Sequence, residues 1–301
     1  MLGFGARVPV YALPAGFQTR PVPAGTPAFL FSGSYMSPEG KRIGLLRFPS
    51  MSPPSTALVL QHLDQEIAWF NANTDALVVD VMRNPGGLLP FTEAISQRFM
   101  TAPFRTLGFE IRATAGWLAA ISSALSSARL ALPPGHPTLV NLESIFLEIL
   151  NAFNENRGRT APVSLNATGS LTLNPVPVTY TRPLIVLTDE FSASAGDMFP
   201  AIMQDNKRGP IVGMRTMGAG GSVVGGDCTS YTESICDITV SLMNRGRLIH
   251  SPEYPPSPYV ENIGVRPDIV VDYMTRENLM TGGASFVQMF TQIVVKQIAG
   301  S

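Results

Sequence analysis

The chain contains 301 residues, of which 45% are hydrophobic and 14% charged, and its net charge is −1. A chain of this size can bury a substantial core in one large domain or two smaller ones. Its nearly neutral charge excludes an electrostatic footprint for nucleic acid or an anionic membrane. No apolar run in the sequence has the length of a transmembrane helix.

Residues 1–40 are rich in Pro and Gly and show no firm periodicity. This composition predicts an extended arm or linker remnant, followed by a catalytic core over 41–301. The first residues lack the charged and apolar regions of a signal peptide. We therefore expect any export signal to lie outside this chain, with a secreted or periplasmic location favoured for the parent protein.

Strands and helices alternate over the next part of the chain. Residues 41–48 predict a strand, and 55–71 predict an amphipathic helix because apolar residues recur every three or four positions. The continuous apolar run 76–82 is typical of a strand buried on both faces. A helix is expected at 92–100.

The segment 101–180 is interpreted as an insertion in the core, and a lid over the site, a dimer surface and plain scaffold are the alternatives for its role. Helical patterns near 116–130 and 143–154 are separated by a Pro-rich turn, and 162–180 predicts strands and turns. No chemistry is evident in this segment.

A strand–turn–helix unit follows. Residues 183–188 predict a buried strand, and a helix is expected from about Ser194 to Asp205. A strand at 210–214 and a hairpin over 222–249 come next. The alternation predicts an α/β fold with a largely parallel central sheet.

Ser194 is the candidate nucleophile. A hydroxyl at the start of a helix lies beside free backbone N–H groups and the positive end of the helix dipole. The local pattern also fits a capping box, with Ser194 as N-cap and Asp197 as the third helical residue.

The turn over residues 83–87, Arg-Asn-Pro-Gly-Gly, is the second candidate feature. Its two glycines allow close backbone approach and can direct N–H groups into a cleft. The carboxyl ends of parallel strands line the ligand crevice of such sheets. The alternative is an ordinary glycine turn.

Taken together, these segments resemble the C-terminal processing (tail-specific) peptidase superfamily. The matching stretches are 80–87, 192–197, 203–205 and 212–220. Their agreement in order and spacing favours Ser194 as nucleophile over the capping interpretation and over Ser192.

The loop after the nucleophile helix indicates the branch. Processing peptidases with a Ser–Lys dyad carry the lysine between two glycines of this loop, where this chain has Ala219. The chain therefore resembles the Ser–His–Glu branch, which includes the tricorn core peptidase and the chlamydial protease-like activity factor. Residues 260–268 resemble the segment of that branch that holds the catalytic glutamate, which implies this role for Glu261.

The resemblance implies a ClpP/crotonase-like ββα-superhelix core and a serine hydrolase. The expected reaction is that of an endopeptidase, which forms an acyl-enzyme with extended polypeptides held in part by strand addition. Backbone N–H groups of Gly87, Gly86 and Ala195 would receive the oxyanion. No metal or organic cofactor is implied, and an oligomer is compatible with the sequence. An esterase with the same nucleophile and a catalytically inactive peptide-binding module are the alternatives.

The sequence supplies no obvious general base. In the Ser–His–Glu branch the histidine lies upstream of the core, so an upstream partner segment is expected to carry it. Among the chain's three histidines, His250 is the best candidate because it lies eleven residues before Glu261. His62 is expected on the solvated side of the first helix and His136 in a turn. Lys207 would matter only in a Ser–Lys peptidase.

Cys228 and Cys236 frame a short polar stretch between apparent strands. A cross-strand disulfide, typical of an oxidising compartment, and two separate thiols are both compatible with this spacing. Because no His or Cys lies nearby at ligand spacing, a metal site is not expected.

Overall fold

The structure, a computed structural model, describes residues 4–166, 168–227, 232 and 235–300. The strands are β1 Gln18–Thr19, β2 Phe31–Met36, β3 Arg42–Arg47, β4 Ala76–Asp80, β5 Phe104–Arg105, β6 Gly108–Ile111, β7 Thr172–Leu173, β8 Leu184–Thr188, β9 Ile211–Gly213, β10 Val223–Asp227, β11 Ile235–Thr239, β12 Ser241–Ile249, β13 Ser257–Tyr259 and β14 Ile269–Val270. The helices are α1 Thr56–Asn73, α2 Leu89–Ser96, α3 Ala115–Ala131, α4 Pro137–Asn154, α5 Ala195–Asp205, α6 Arg276–Thr281 and α7 Ala284–Ala299.

The chain divides into two compact units, each built from separate stretches. Unit 1 comprises Met1–Arg105, Leu173–Ala219 and Gly264–Ser301, and unit 2 comprises Thr106–Thr172 and Gly220–Ile263. The first stretch of unit 2 lies within the segment that we interpreted as an insertion. Its second stretch includes the expected hairpin.

A seven-stranded sheet organises unit 1, in the order β1-β2-β3-β4-β8-β9-β14. The pairs β1–β2 and β2–β3 are antiparallel, and the strands from β3 to β14 pair in parallel. Their register places Leu45 opposite Val78, Val79 opposite Val186 and Leu187 opposite Val212. The α/β fold with a largely parallel sheet is confirmed.

The central parallel strands β4, β8 and β9 are buried on both faces, which is why their sequences are continuous apolar runs. One core cluster joins strand residues such as Val78 and Leu187 to Phe286 and Phe290 of α7. Phe199 of α5 packs in a second aromatic group with Phe48 and Phe99. Both turns of interest therefore project from a rigid scaffold.

Regular structure begins earlier than the sequence indicates. The strand β2 lies inside residues 1–40, where an extended arm was expected, and it is hydrogen-bonded into the sheet. The sequence does not predict this strand because its Ser and Gly residues are typical of loops. A side chain at Gly33 would overlap the ring of Phe17, which stacks on Phe31, so this glycine permits close packing and does not break the strand.

Unit 2 contains a three-stranded antiparallel sheet in the order β13-β12-β6 and the two-stranded ribbon β10–β11. Helices α3 and α4 cover a small core around Ile111, Ile145 and Ile149. Cys236 lies exposed on β11, whereas Cys228, its expected partner, lies outside the described residues. Within the described part of the chain, no helix combines the length and apolar character needed to cross a membrane.

Candidate active site

Ser194 lies where the turn after β8 becomes α5. Its backbone has φ 55° and ψ −119°, in the positive-φ region that residues with side chains rarely occupy. The Ser194 N–H donates to the Ala219 carbonyl at 3.0 Å, and the hydroxyl makes no capping bond to α5. The capping-box alternative is therefore wrong, because the hydroxyl does not satisfy the start of the helix.

The neighbouring serine, Ser192, has a structural role. It is fully buried, and its hydroxyl donates to the Val81 carbonyl at 2.9 Å while lying 3.1 Å from Asp189 Oδ1. Ser194 is only partly buried. Of the two hydroxyl groups, that of Ser194 is the one not held by a structural hydrogen bond among the described residues.

Asp197, in the first turn of α5, holds the loop that follows β9. Its buried carboxylate accepts hydrogen bonds from the N–H groups of Gly218 at 2.9 Å and Ala219 at 3.3 Å. Because the Ala219 carbonyl binds the Ser194 N–H, Asp197 supports the strained serine backbone through this loop. Burial raises the pKa of Asp197 to about 6, although hydrogen bonds from Thr216 and the backbone oppose the shift.

The glycine turn after β4 packs directly on the nucleophile turn. A Cβ atom at Gly86, where φ is 94°, would lie 2.6 Å from Ser194 Cβ and 2.9 Å from Ala195 N. Buried Asn84 links the two turns, because its side-chain oxygen accepts from the Gly86 N–H and its carbonyl accepts from the Ala193 N–H, both at 2.9 Å. Only glycine permits this approach.

Two backbone N–H groups at this junction, those of Gly87 and Ala195, have no acceptor among the described residues. Ala195 is the first residue of α5, where helix geometry leaves the N–H unsatisfied. Gly87 lies between two bonds to Met51, one from the Met51 N–H to the Gly86 carbonyl and one from the Leu88 N–H to the Met51 carbonyl, both 2.7 Å. A pair of free donors beside a hydroxyl is the arrangement of an oxyanion hole.

The structure does not agree with the expectation that the Gly86 N–H is also an oxyanion donor. This N–H is occupied by Asn84 Oδ1. Because Gly86 has no side chain, the turn can approach Ser194 closely.

Asp189 connects the glycine turn after β4 with the turn that precedes α5. Its Oδ1 accepts from the backbone N–H of Arg83 at 2.8 Å and from that of Phe191 at 3.2 Å. Burial and the nearby Asp80 raise the pKa of Asp189, and its hydrogen bonds oppose this. Arg83, itself at φ 55°, keeps its guanidinium 3.9 Å from the same carboxylate.

Glu261 lies in unit 2, directly after β13. Its Oε1 accepts a hydrogen bond from the Met243 N–H of β12 at 2.8 Å. Gly221 allows this approach, because a Cβ atom there would lie 2.8 Å from the same oxygen. The carboxylate is therefore held by backbone on one side.

His250, also in unit 2, follows the end of β12 that lies away from Glu261 along the β12–β13 ladder. Asn244 pairs with Tyr259, and Ile249 pairs with Ser257, so the two ends of this ladder are separated by about 7 Å of β13. Glu261 lies near the Asn244 end, and His250 leaves β12 at the other end, exposed to solvent.

The other two histidines have structural positions. His62 is buried, which corrects the expectation of a solvated face, and its Nε2 lies 3.6 Å from Glu66 Oε1 on the same helix. His136 caps α4 by accepting from the Thr138 N–H at 3.2 Å.

Lys207 lies past the far end of α5. Ser194 stands at the other end of this helix, which is about 16 Å long. The structure therefore does not bring the Lys207 amine to the hydroxyl of Ser194.

No cluster of three or more His, Cys, Asp or Glu side chains that could hold a metal occurs among the described residues.

The family model of peptidase family S41 matches residues 42–271 of this sequence. The chain belongs to peptidase family S41. The matched residues include both turns of the candidate site. The membership also agrees with the C-terminal processing peptidase resemblance.

Relatives of this S41 chain occur in chlamydiae. A Chlamydia trachomatis serovar D protein is 27% identical over 288 residues, which are 86% of this chain and 46% of that protein. The tricorn protease of Thermoplasma volcanium is 28% identical over 137 residues, covering 44% of this chain and 11% of that protein.

Among solved structures, the crystal structure of mature CPAF superposes with a TM-score of 0.71 and 26% identity, covering 89% of this chain and 54% of that one. The S41 chain thus spans about half the length of these chlamydial and CPAF relatives. The likeness confirms the mixed α/β fold of this family.

Sequence reasoning missed the roles of Asn84, Asp189 and the Asp197 carboxylate. Each is a buried polar residue in or next to one of the two turns, and buried polar side chains must find hydrogen-bond partners. The available signal was the position of Asn84 and Asp189 after apolar strands and of Asp197 in the first turn of a helix.

Proposed function

We propose that this chain carries the nucleophile and oxyanion site of an endopeptidase that forms an acyl-enzyme with extended polypeptides. The observation that supports it most is the junction of the Ser194 hydroxyl with the free N–H groups of Gly87 and Ala195. Membership in peptidase family S41 supports the same reading.

In the proposed reaction, Ser194 Oγ attacks the carbonyl carbon of the scissile peptide bond and transfers its proton to a histidine. The N–H groups of Gly87 and Ala195 stabilise the resulting oxyanion. The C–N bond then breaks, and the leaving amine takes the proton from the histidine. A water molecule repeats the sequence on the ester, which releases the acid and regenerates Ser194.

The general base is the least complete part of this site. His62 lies beside Glu66 and His136 caps a helix, while His250 stands away from Glu261. We assign the base to a histidine of another polypeptide segment, either upstream in a longer parent protein or in a second copy of the chain. Glu261 would orient that imidazole and stabilise its cation.

A fluorophosphonate probe tests the nucleophile. We expect a covalent adduct on Ser194, mapped by mass spectrometry, in the chain mixed with the upstream segment of its parent protein. Ser194→Ala should remove the adduct, and heat-denatured chain should not react. If the folded chain stays unlabelled with and without the upstream segment, it is a peptide-binding module, and unchanged peptide affinity in Ser194→Ala would support that alternative.

A further inference from the structure

Residues 4–12 are bound to the backbone that supports the oxyanion turn. The Gly5 N–H donates to the Arg83 carbonyl, and Arg47 Nε donates to the Ala6 carbonyl, both at 3.1 Å. The Tyr11 hydroxyl donates to Asp80 Oδ2 at 3.0 Å. This segment therefore contacts β3, β4 and the start of the turn.

The contacts converge on a buried ion pair. Arg47 and Asp80 are fully buried, with Arg47 Nη1 2.9 Å from Asp80 Oδ1. Asp80 Oδ1 also accepts from the Met82 N–H at 2.8 Å, and Arg47 Nη1 also donates to the Met82 carbonyl at 2.9 Å. The pair thus holds both peptide groups of Met82, the residue before the positive-φ Arg83.

Tyr11 supplies the donor for the remaining oxygen of Asp80. Without that hydroxyl, a fully buried carboxylate oxygen loses a hydrogen bond that water cannot replace. The carboxylate can recover a bond by rotating, but rotation changes its contact with Met82. The turn that follows Met82 carries the Gly87 N–H.

We propose that residues 4–12 are a positioning segment for the oxyanion turn, with Tyr11 as the positioning residue. The proposal rests on the proposed function, since it gives the turn a catalytic task. Tyr11 does not touch the reacting atoms and acts through Asp80 and Met82. Displacement of the segment would weaken the oxyanion site while leaving Ser194 in place.

The alternative is that Tyr11 contributes only packing. Its ring lies 5.6 Å from that of Phe286 and 5.4 Å from that of Phe290, measured between centroids. Tyr11→Phe keeps this ring and removes only the hydroxyl, so it separates the two roles.

Tyr35→Phe is the matched control. Tyr35 is buried in the same core cluster, and its hydroxyl bonds Thr291 Oγ1 at 2.8 Å, with no hydrogen bond to the turn among the described residues. Both variants should lose a similar amount of thermal stability, because each removes one buried hydrogen bond.

Amide hydrogen exchange measured by mass spectrometry is the first readout. We expect peptides covering Met82 to Leu88 to exchange about tenfold faster in Tyr11→Phe than in Tyr35→Phe, because local opening of the turn becomes easier. The second readout is the rate of fluorophosphonate acylation at Ser194. It should fall about tenfold in Tyr11→Phe and stay unchanged in Tyr35→Phe, because small displacements of catalytic donors are costly.

Equal exchange of this turn in the two variants would overturn the positioning role. If the wild-type chain is not acylated under any condition, the proposed function fails, and the exchange data still decide whether residues 4–12 position the turn. Faster exchange with an unchanged acylation rate would also contradict the proposal.

Discussion

Gly86 is a residue at which the glycine turn packs directly against Ser194. We predict that Gly86→Ala lowers the acylation rate of Ser194 by about a hundredfold or more, the loss typical of a disrupted oxyanion site. The new Cβ would press on Ser194 Cβ, Ala193 O and Ala195 N. It would also require positive φ of alanine, adding about 1–2 kcal/mol of strain to the destabilisation.

Gly40 provides the control for that substitution. It has φ of +74° but open space around its Cβ position. Gly40→Ala should therefore cost about 1 kcal/mol of stability from backbone strain alone and leave acylation unchanged. Comparable acylation in the two variants, measured with the same fluorophosphonate probe, would remove the special position assigned to Gly86.

Asp197 predicts a specific dependence of stability on pH. Burial raises the pKa of Asp197 from 3.8 to about 6 in the folded chain, so the folded state binds this proton more tightly than the unfolded state. The favourable contribution is fully present below about pH 4 and is lost as pH rises through about 6. A shift of this size corresponds to about 3 kcal/mol.

Urea unfolding of the wild type and Asp197→Asn at pH values from 4 to 7.5 measures this effect. The difference in the free energy of unfolding between the two should change with pH over the window of 4 to 6, because asparagine does not titrate. Groups other than Asp197 cancel in this difference. A constant difference across the window would mean that the Asp197 pKa is not raised.

At the scale of single residues, the sequence predicts candidate reactive side chains better than it predicts the backbone groups that would assist them. Ser194 and the glycine turn were recognisable because specific residue types occur in a specific order. The free N–H groups of Gly87 and Ala195 depend on φ and ψ angles and on the distance between two turns, which no side chain encodes. For the same reason the sequence could not show that the Gly86 N–H is occupied by Asn84.

At the scale of elements, helix α1 shows that a segment distant in sequence can bury a helix face that the local pattern predicts to be exposed to solvent. Arg20 directly follows β1 and is far from α1 in sequence, yet its guanidinium lies 2.7 Å from Glu66 and 4.1 Å from the centroid of the Trp69 ring. Although burial raises the pKa of Glu66, the nearby side chains of His62, Arg20 and Ser32 lower it below its ordinary value.

We predict that Arg20→Met costs about 2 kcal/mol of stability at neutral pH, since it leaves a buried carboxylate without its cation. The loss should diminish as pH falls through the pKa of Glu66, because a depressed carboxylate pKa stabilises the fold only above that range. Arg129→Met, which breaks the exposed pair with Glu143, should cost less than about 1 kcal/mol. Similar losses in urea unfolding for both variants would contradict this account.

Local pattern predicted the elements whose burial is complete and failed where burial depends on the rest of the chain. Strands β3, β4 and β8 and helices α1 and α5 follow from apolar runs and helical spacing. The sequence does not predict strand β2 because its small residues are typical of loops. It predicts an exposed His62 because no local pattern shows that the segment around Arg20 contacts the same helix. Helix α7, which covers the sheet, was not predicted.

At the scale of the whole molecule, the central question is whether the chain contains every group that its reaction needs. The proposed nucleophile and the two proposed oxyanion donors come together in unit 1, and Glu261 is held by the backbone of unit 2. The three histidines are accounted for by a helix face, a helix cap and an exposed strand end. The proposed peptidase reaction is therefore conditional on an imidazole that reaches Ser194.

Free imidazole tests that condition. We predict that the fluorophosphonate labelling rate of Ser194 in the isolated chain rises with imidazole concentration, because the small molecule can act as the absent base. Only the neutral form accepts a proton, so the effect should decline below about pH 6.5. His250→Ala should show the same rescue, and Ser194→Ala should show none. Full labelling without imidazole that disappears in His250→Ala would instead identify His250 as the base.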